Sequence, residues 1–270
     1  MSSEAVARLR ERFAAEVLHH PTTYHPIDIE RVRTEEWQVR RYLLDQPDQN
    51  EDAAFSALCR ALAWKQSFGV HERTDATFPR EIWELNCVEM VGRDREGRPI
   101  QWEATRNQII FKEVRWMTKQ FVAHCFEKID REAGESGFIA VTDATGGALN
   151  SVDLEVTKFK IEVLGYYPGG IRQHVIVELP WLLNALMKMI VGMMPKWLAE
   201  LVVFKKASDL PAMIDPQYIP TRLGGLREKW VCSEELVTME KLMGPLNLSE
   251  QFVDKYFKTF GLKRKYRNVA

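Results

Sequence analysis

Residues 137–204 read GFIAVTDATGGALNSVDLEVTKFKIEVLGYYPGGIRQHVIVELPWLLNALMKMIVGMMPKWLAELVVF, and successive changes of texture within them set the fold class. GFIAV is a short apolar run that closes in the Gly-rich turn TDATGG, as a buried strand does. The spacing then predicts a helix from about 151 to 166, ending at Tyr166-Tyr167-Pro168. HVIVELP is a second strand, residues 181–200 form an unusually apolar helical run, and LVVF is a third strand. Strand, helix, strand, helix, strand implies an α/β fold with a mainly parallel sheet, flanked by helices through right-handed crossovers.

Upstream, apolar-rich runs on either side of Asp94-Arg95-Glu96-Gly97 predict a hairpin, followed by a long helix through 113–132. Before about residue 70 the chain reads as helices throughout. Val6, Leu9, Phe13 and Val17 recur at three- and four-residue steps, Trp37, Arg41 and Leu44 follow a His/Pro-rich break, and AAFSALCRALAW ends at Gly69. The expected organisation is an N-terminal helical cap over 1–75, a sheet domain over 76–228 and an amphipathic, basic tail over 229–270.

Composition narrows the function. The 270 residues carry a formal net charge of −1, which removes the general electrostatic case for nucleic-acid binding. The four cysteines, Cys59, Cys87, Cys125 and Cys232, stand singly, so no zinc or redox spacing exists and a reduced compartment is expected. No metal ligands and no catalytic set are expected. Neither GxGxxG nor GxxxxGK[ST] occurs, and GESG at 134–137 is not a nucleophile elbow. The first residues alternate charged and apolar side chains, so no export signal is expected.

In 181–203 the polar residues Asn184, Lys188, Lys196 and Glu200 keep a four-residue rhythm, with Gly192 at the missing beat. All else is apolar, far more than one packed face requires. A core helix buried all round is one reading. A helix with one face on a cavity and the other on a bilayer is the second; four methionines suit it by adapting to varied shapes, and Gly192 and Pro195 suit a hinge. Near the C-terminus, Phe252, Val253, Tyr256, Phe257 and Phe260 form an apolar face beside Lys263-Arg264-Lys265 and Arg267. It either lies on an anionic bilayer or packs back on the domain.

Trp37 to Leu44 with Ala63-Trp64-Lys65 and Phe68-Gly69-Val70, then Asp143 with Gly146-Gly147, Tyr167-Pro168, Glu178-Leu179-Pro180, and Ile219-Pro220 through Gly224-Gly225, follow one another in a familiar order. In this, residues 31 to 226 resemble the CRAL-TRIO (Sec14-like) lipid-binding family. The resemblance implies a lipid cavity on one face of the sheet, closed by a mobile apolar helix. It assigns Phe138, Thr142, Phe159, Val163, Tyr167, Ile171, His174 and Ile176 to the cavity, with Ala185, Leu186, Met189 and Ile190 from the gate. Trp181, Leu182, Met193, Met194 and Trp197 become the membrane-docking set. The phosphatidylinositol-binding branch carries Thr-x-x-Lys at the gate; here those positions are Ala185 and Lys188, which keeps a headgroup cation and loses the hydroxyl. One branch also carries a further domain and a membrane anchor, which 1–270 does not contain, so no tethering through them is expected.

The resemblance thus implies no cofactor beyond a bound lipid, no nucleic-acid partner, and a cytoplasmic protein peripheral on intracellular membranes, including lipid droplets or endoplasmic reticulum. Phospholipid, phosphoinositide and sterol all suit an apolar pocket, and protein partners are unspecified. The rival readings are an enzyme, a docking module that exchanges no lipid, and a cavity plugged by Trp102 or Trp116.

Overall fold

The computed structural model describes residues 3–108, 110–228 and 236–262. Four helices come first: α1 (Ser3–His19), α2 (Pro26–Thr34), α3 (Glu36–Leu44) and α4 (Glu51–Phe68). Asn50 caps α4 through its side chain, and Gly69 ends it in the left-handed conformation at φ 68°, which a residue without Cβ adopts without strain. Val6, Leu9, Phe13, Val39, Leu43, Leu58 and Leu62 fill the core of this cap.

A short helix, α5 (Arg80–Glu84), leads to strands β1 (Val88–Arg93) and β2 (Pro99–Ala104). They pair antiparallel around the turn expected at 94–97, where the Asp94 carboxylate accepts from the Glu96 and Arg98 amides. Helix α6 (Arg115–Ala133), strand β3 (Phe138–Asp143), helix α7 (Leu154–Leu164) and strand β4 (Ile171–Val177) follow. The apolar run then breaks in two, α8 (Asn184–Met193) and α9 (Lys196–Ala199), because Met194 and Pro195 are extended. Strand β5 (Val202–Lys205) completes a sheet of order β1-β2-β3-β4-β5 among the described residues, parallel from β2 onward. Two helices, α10 (Met239–Leu242) and α11 (Glu250–Phe260), end the described chain.

A mainly parallel sheet must be covered on both faces. One face, with Ile100, Trp102, Ile139, Val141, Val175 and Val177, packs against Leu210, Ile214, Ile219 and Leu223 of the segment after β5. Trp102 lies on this side, its indole donating to the Val91 carbonyl, and Trp116 is 58% exposed. Neither plugs the opposite face. The apolar side of α11 is turned inward: Phe252, Val253, Tyr256 and Phe257 are buried with Phe111, Met117 and Phe121. That face cannot at the same time lie on a bilayer. The basic residues 263–267 fall outside the described residues.

The helical cap is fastened to α6 by a buried ionic network. Arg41 grips Asp130 with two hydrogen bonds of 2.8 and 2.7 Å, and Glu127 accepts from Lys65 (2.8 Å), Arg31 (2.5 Å) and the Tyr167 hydroxyl (3.0 Å). Burial alone would raise the Glu127 carboxyl's pKa, but the Lys65 ammonium and Arg31 guanidinium outweigh it and hold the group far below the usual carboxylate range. Stability from this site is therefore complete above the ordinary carboxylate range and falls as pH drops below about 4.5, the group's ordinary value. Glu127→Ala takes the ion-pair partner from the buried Lys65 ammonium and leaves Arg31 only the more distant Asp28 carboxylate at 3.6 Å, and a loss of about 3–5 kcal/mol is expected from urea denaturation at neutral pH.

Candidate functional site

The sheet's second face is not filled. Between it and the surrounding helices lies an apolar-walled cavity of about 240 Å³, somewhat below the ~300–1,000 Å³ typical of small-molecule sites. Helix α6 supplies Met117, Phe121, Val122 and Phe126; α7 supplies Val156, Ile161 and Leu164; α11 supplies Tyr256 and Phe260.

The roof is the apolar run. Leu183, Leu186, Met187, Ile190, Met194 and Leu198 line the cavity at spacings of one, three and four, which a helix gathers on one side. Ile190 is buried, while Leu186, Met187 and Met194 are half-buried. The stripe Asn184, Lys188, Gly192, Lys196 and Glu200 is exposed throughout. Also outside are Trp181, at 84% exposure, with Leu182, Met189 and Trp197. A helix with this much uncovered apolar surface is not the all-round core helix weighed from sequence.

Of the residues assigned to the cavity, Thr142, Ile171, His174, Leu186 and Ile190 line it. Phe138 and Val163 lie in the packed core beside it. Phe159 turns toward α4, its ring 5.3 Å from that of Phe68, and the Tyr167 hydroxyl is engaged by Glu127. Ile176 is buried outside the lining, while Ala185 and Met189 are on the outer surface because they sit off the face that carries Leu186 and Ile190. Lys188 is likewise exposed and away from the cavity. Of the docking set, Trp181, Leu182 and Trp197 are exposed, Met193 is half-buried, and Met194 faces the cavity.

The floor is more polar than the sequence reading anticipated. Gln101 and Glu103, two apart on β2, point to the same face, and Thr142 and His174 sit beside them on β3 and β4. Lys160 of α7 donates to Glu103 at 2.7 Å, and Thr142 Oγ1 lies 2.9 Å from His174 Nε2. The signal was present in IQWEA, where polar residues alternate with Ile100 and Trp102 inside a strand buried on both faces. Burial would raise the Glu103 pKa, but Lys160 turns the balance and lowers it, so a buried ion pair persists. Burial pushes the Cys87 thiol up to about 12, leaving it unreactive. Among the described residues no cluster of His, Cys, Asp or Glu could hold a metal ion. No helix among them is long and apolar enough to cross a membrane.

His174 carries a pH signature. Burial lowers its pKa below the ordinary 6.5, an effect that Lys160 reinforces and Glu103 opposes. Between the two values the unfolded chain binds the proton first, so this contribution to stability is full above about 6.5 and is lost as pH falls toward the folded value. His174→Gln should flatten the decline of the urea-derived unfolding free energy below about pH 6.5 relative to wild type, by at most ~1.4 kcal/mol per pH unit.

Comparison with known proteins agrees with this geometry. A crystal structure of Sfh5 superposes with a TM-score of 0.59 over 94% of this chain and 99% of that chain, at 13% sequence identity, a likeness of fold alone. The sequence model of the CRAL/TRIO domain matches residues 84–225, from the end of α5 to the glycines after β5. The chain therefore belongs to the CRAL/TRIO domain family, and that membership supports lipid binding or transfer as its general function.

Proposed function

We propose that this protein carries a single lipid in the cavity beneath α8 and exchanges or presents it at a membrane surface. The observation that carries the reading is the pairing of an apolar cavity with a roof helix exposing Trp181, Leu182, Met189 and Trp197 on its outer side. An acyl chain drawn from a bilayer keeps its apolar environment only if the receiving pocket is dry, at ~0.8 kcal/mol per methylene. The walls meet that need, and no bond has to be made or broken.

In this mechanism α8 swings on the extended Met194-Pro195 segment, while its exposed side chains sit among lipid headgroups and tails. Leu186, Met187, Ile190 and Met194 then meet the cargo, together with Thr142, Ile171 and His174. Trp116, Leu149 and Leu154 are also exposed, and each lies within two residues of a cavity-lining position, Arg115, Ser151 or Asp153. They extend the docking surface beyond the roof helix. With Ala185 in place of threonine and Lys188 pointing outward, Lys188 serves a headgroup at the membrane surface, and phosphatidylinositol has no special claim on the cavity.

The segments FPREIW, GRDREGRPIQW, NSVDLEVTKF, YYPGG, PWLLNALMKMI and PQYIPTRLGG resemble the lipid-binding part of motile sperm domain-containing protein 2, and we place the chain near it on that basis. The proposed setting is cytoplasmic, peripheral on intracellular membranes such as endoplasmic reticulum or lipid droplets. A docking module that exchanges no lipid is the second reading, favoured by the 84% exposure of Trp181.

Organic extraction of natively purified protein, followed by mass spectrometry, should find one lipid class near one-to-one. Changing both Leu186 and Ile190 to Trp should abolish it while circular dichroism stays native; an empty wild type that takes up nothing from liposomes supports the docking module instead. Separately, Trp181→Ala removes the most exposed large apolar side chain among the described residues, worth up to ~3 kcal/mol on full burial. Sedimentation with phosphatidylcholine vesicles should show at least a severalfold loss of binding, without loss of stability.

A further inference from the structure

The polar floor contains one group that the fold leaves without a partner. Glu103 is held by Lys160 through Oε2 and accepts through Oε1 from Gln101 Nε2 at 3.1 Å. An ionised carboxylate can only accept, so the amide nitrogen of Gln101 must face it, and the amide oxygen is turned to the other side. That oxygen, Oε1, is buried with no hydrogen-bond partner, on a residue 2% exposed that lines the cavity. Buried acceptors are nearly always satisfied, so an orphan in a ligand cavity marks the place of a ligand donor.

The strand registers show the space beside it. Gln101, Ala140 and His174 form one row across β2, β3 and β4, and Glu103, Thr142 and Ile176 form the next. Ala140, the smallest side chain of the two rows, separates Gln101 from His174 and also lines the cavity. A small side chain between two longer polar ones makes a recess in the floor, facing the apolar walls. Within it the Lys160–Glu103 pair is internally neutralised, and His174 and Thr142 satisfy each other at 2.9 Å.

We propose that Gln101, fixed by the Glu103–Lys160 pair and flanked by Ala140, is the recognition point for a hydroxyl group on an otherwise apolar lipid. The hydroxyl donates to Gln101 Oε1, and the hydrocarbon body runs toward α6 and α8. A carboxylate or phosphodiester group does not fit the same recess. It brings no proton to donate, it would face the Gln101 oxygen and the Glu103 carboxylate, and Lys160 is already engaged. This proposal rests on the lipid-carrier reading and adds a chemical class to it.

The test is isothermal titration calorimetry of the delipidated full chain with decan-1-ol, its methyl ether and decanoate. The alcohol should bind about tenfold more tightly than the ether, the worth of one neutral hydrogen bond to a buried acceptor, and more tightly than decanoate. Gln101→Leu should bring the alcohol-to-ether ratio near one. Ala140→Leu, which fills the recess, should weaken the alcohol more than the ether and covers the case of a Gln101 variant that does not fold. Equal affinities in wild type, a preference for decanoate, or a ratio surviving Gln101→Leu would each overturn the hydroxyl assignment while leaving the carrier reading in place. Binding of none of the three probes counts against the carrier reading itself.

Discussion

A parallel sheet cannot leave either face to water, and here the two faces are covered by unequal means. The face bearing Ile100, Val141 and Val175 receives the segment around Leu210 and Ile219, in close contact. The other receives the helices α6 and α7, the roof α8 and the end of α11, whose side chains meet around a void. Close-packed interiors tolerate few voids larger than a water molecule, because atoms lining a gap lose dispersion contacts. A cavity of about 240 Å³ in the middle of a domain is therefore a standing cost, and the surrounding frame has to be rigid enough not to collapse into it.

The frame's rigidity comes from elsewhere in the chain. Glu127 and Asp130, one helical turn apart on α6, collect Arg31, Arg41 and Lys65 from three different helices of the cap. Such buried ion pairs add little net stability compared with apolar packing, but they are intolerant of displacement, since each carboxylate or cation left alone is expensive. Helix α6 is thereby held on its outer side while its inner side, with Phe121, Val122 and Phe126, forms the cavity wall. Among the described residues the roof has no comparable fastening. Ile190 is the one buried residue of α8, and its exposed positions are the stripe of Asn184, Lys188 and Gly192 with the apolar Ala185 and Met189 beside it. The contrast in anchoring distinguishes the tied wall from the roof and supports the proposed movement of α8.

Much of this architecture was legible in the chain. Strand and helix alternation in 137–204 is strongly periodic, and the turn at 94–97 has its chemistry written in Asp94 and Gly97. The polar stripe of Asn184, Lys188 and Lys196 was visible as well, yet of the four roof residues given to the cavity Leu186 and Ile190 line it, whereas Ala185 and Met189 are exposed. Which residues of β3, β4 and α7 reach the cavity did not follow. Phe138 shares the inward side of β3 with Thr142, Val163 lies on α7 and Tyr167 in the turn after it, and only three-dimensional packing shows that Phe138 and Val163 end in the core and Tyr167 on Glu127. The wall from α11 was equally hidden, because an apolar helical face reads the same whether it meets a bilayer or Phe111.

The polar floor bears on how a carrier of this shape could both hold and release its cargo. Apolar walls alone bind in proportion to buried hydrocarbon and discriminate poorly, since one methylene more or less changes affinity only modestly. A buried acceptor that is satisfied by one class of ligand and left unpaired by the others works differently. It penalises every ligand lacking the donor by roughly 1–3 kcal/mol, while the matching ligand gains only the ~0.5–1.5 kcal/mol of a net hydrogen bond. Placed at Gln101, such a group would sort lipids mainly by rejection and leave the accepted one weakly enough held to return to a bilayer when α8 opens. The Glu103–Lys160 pair, charged yet internally neutral, is suited to this purpose: it fixes the amide's orientation without adding a net charge that would retain an anionic lipid.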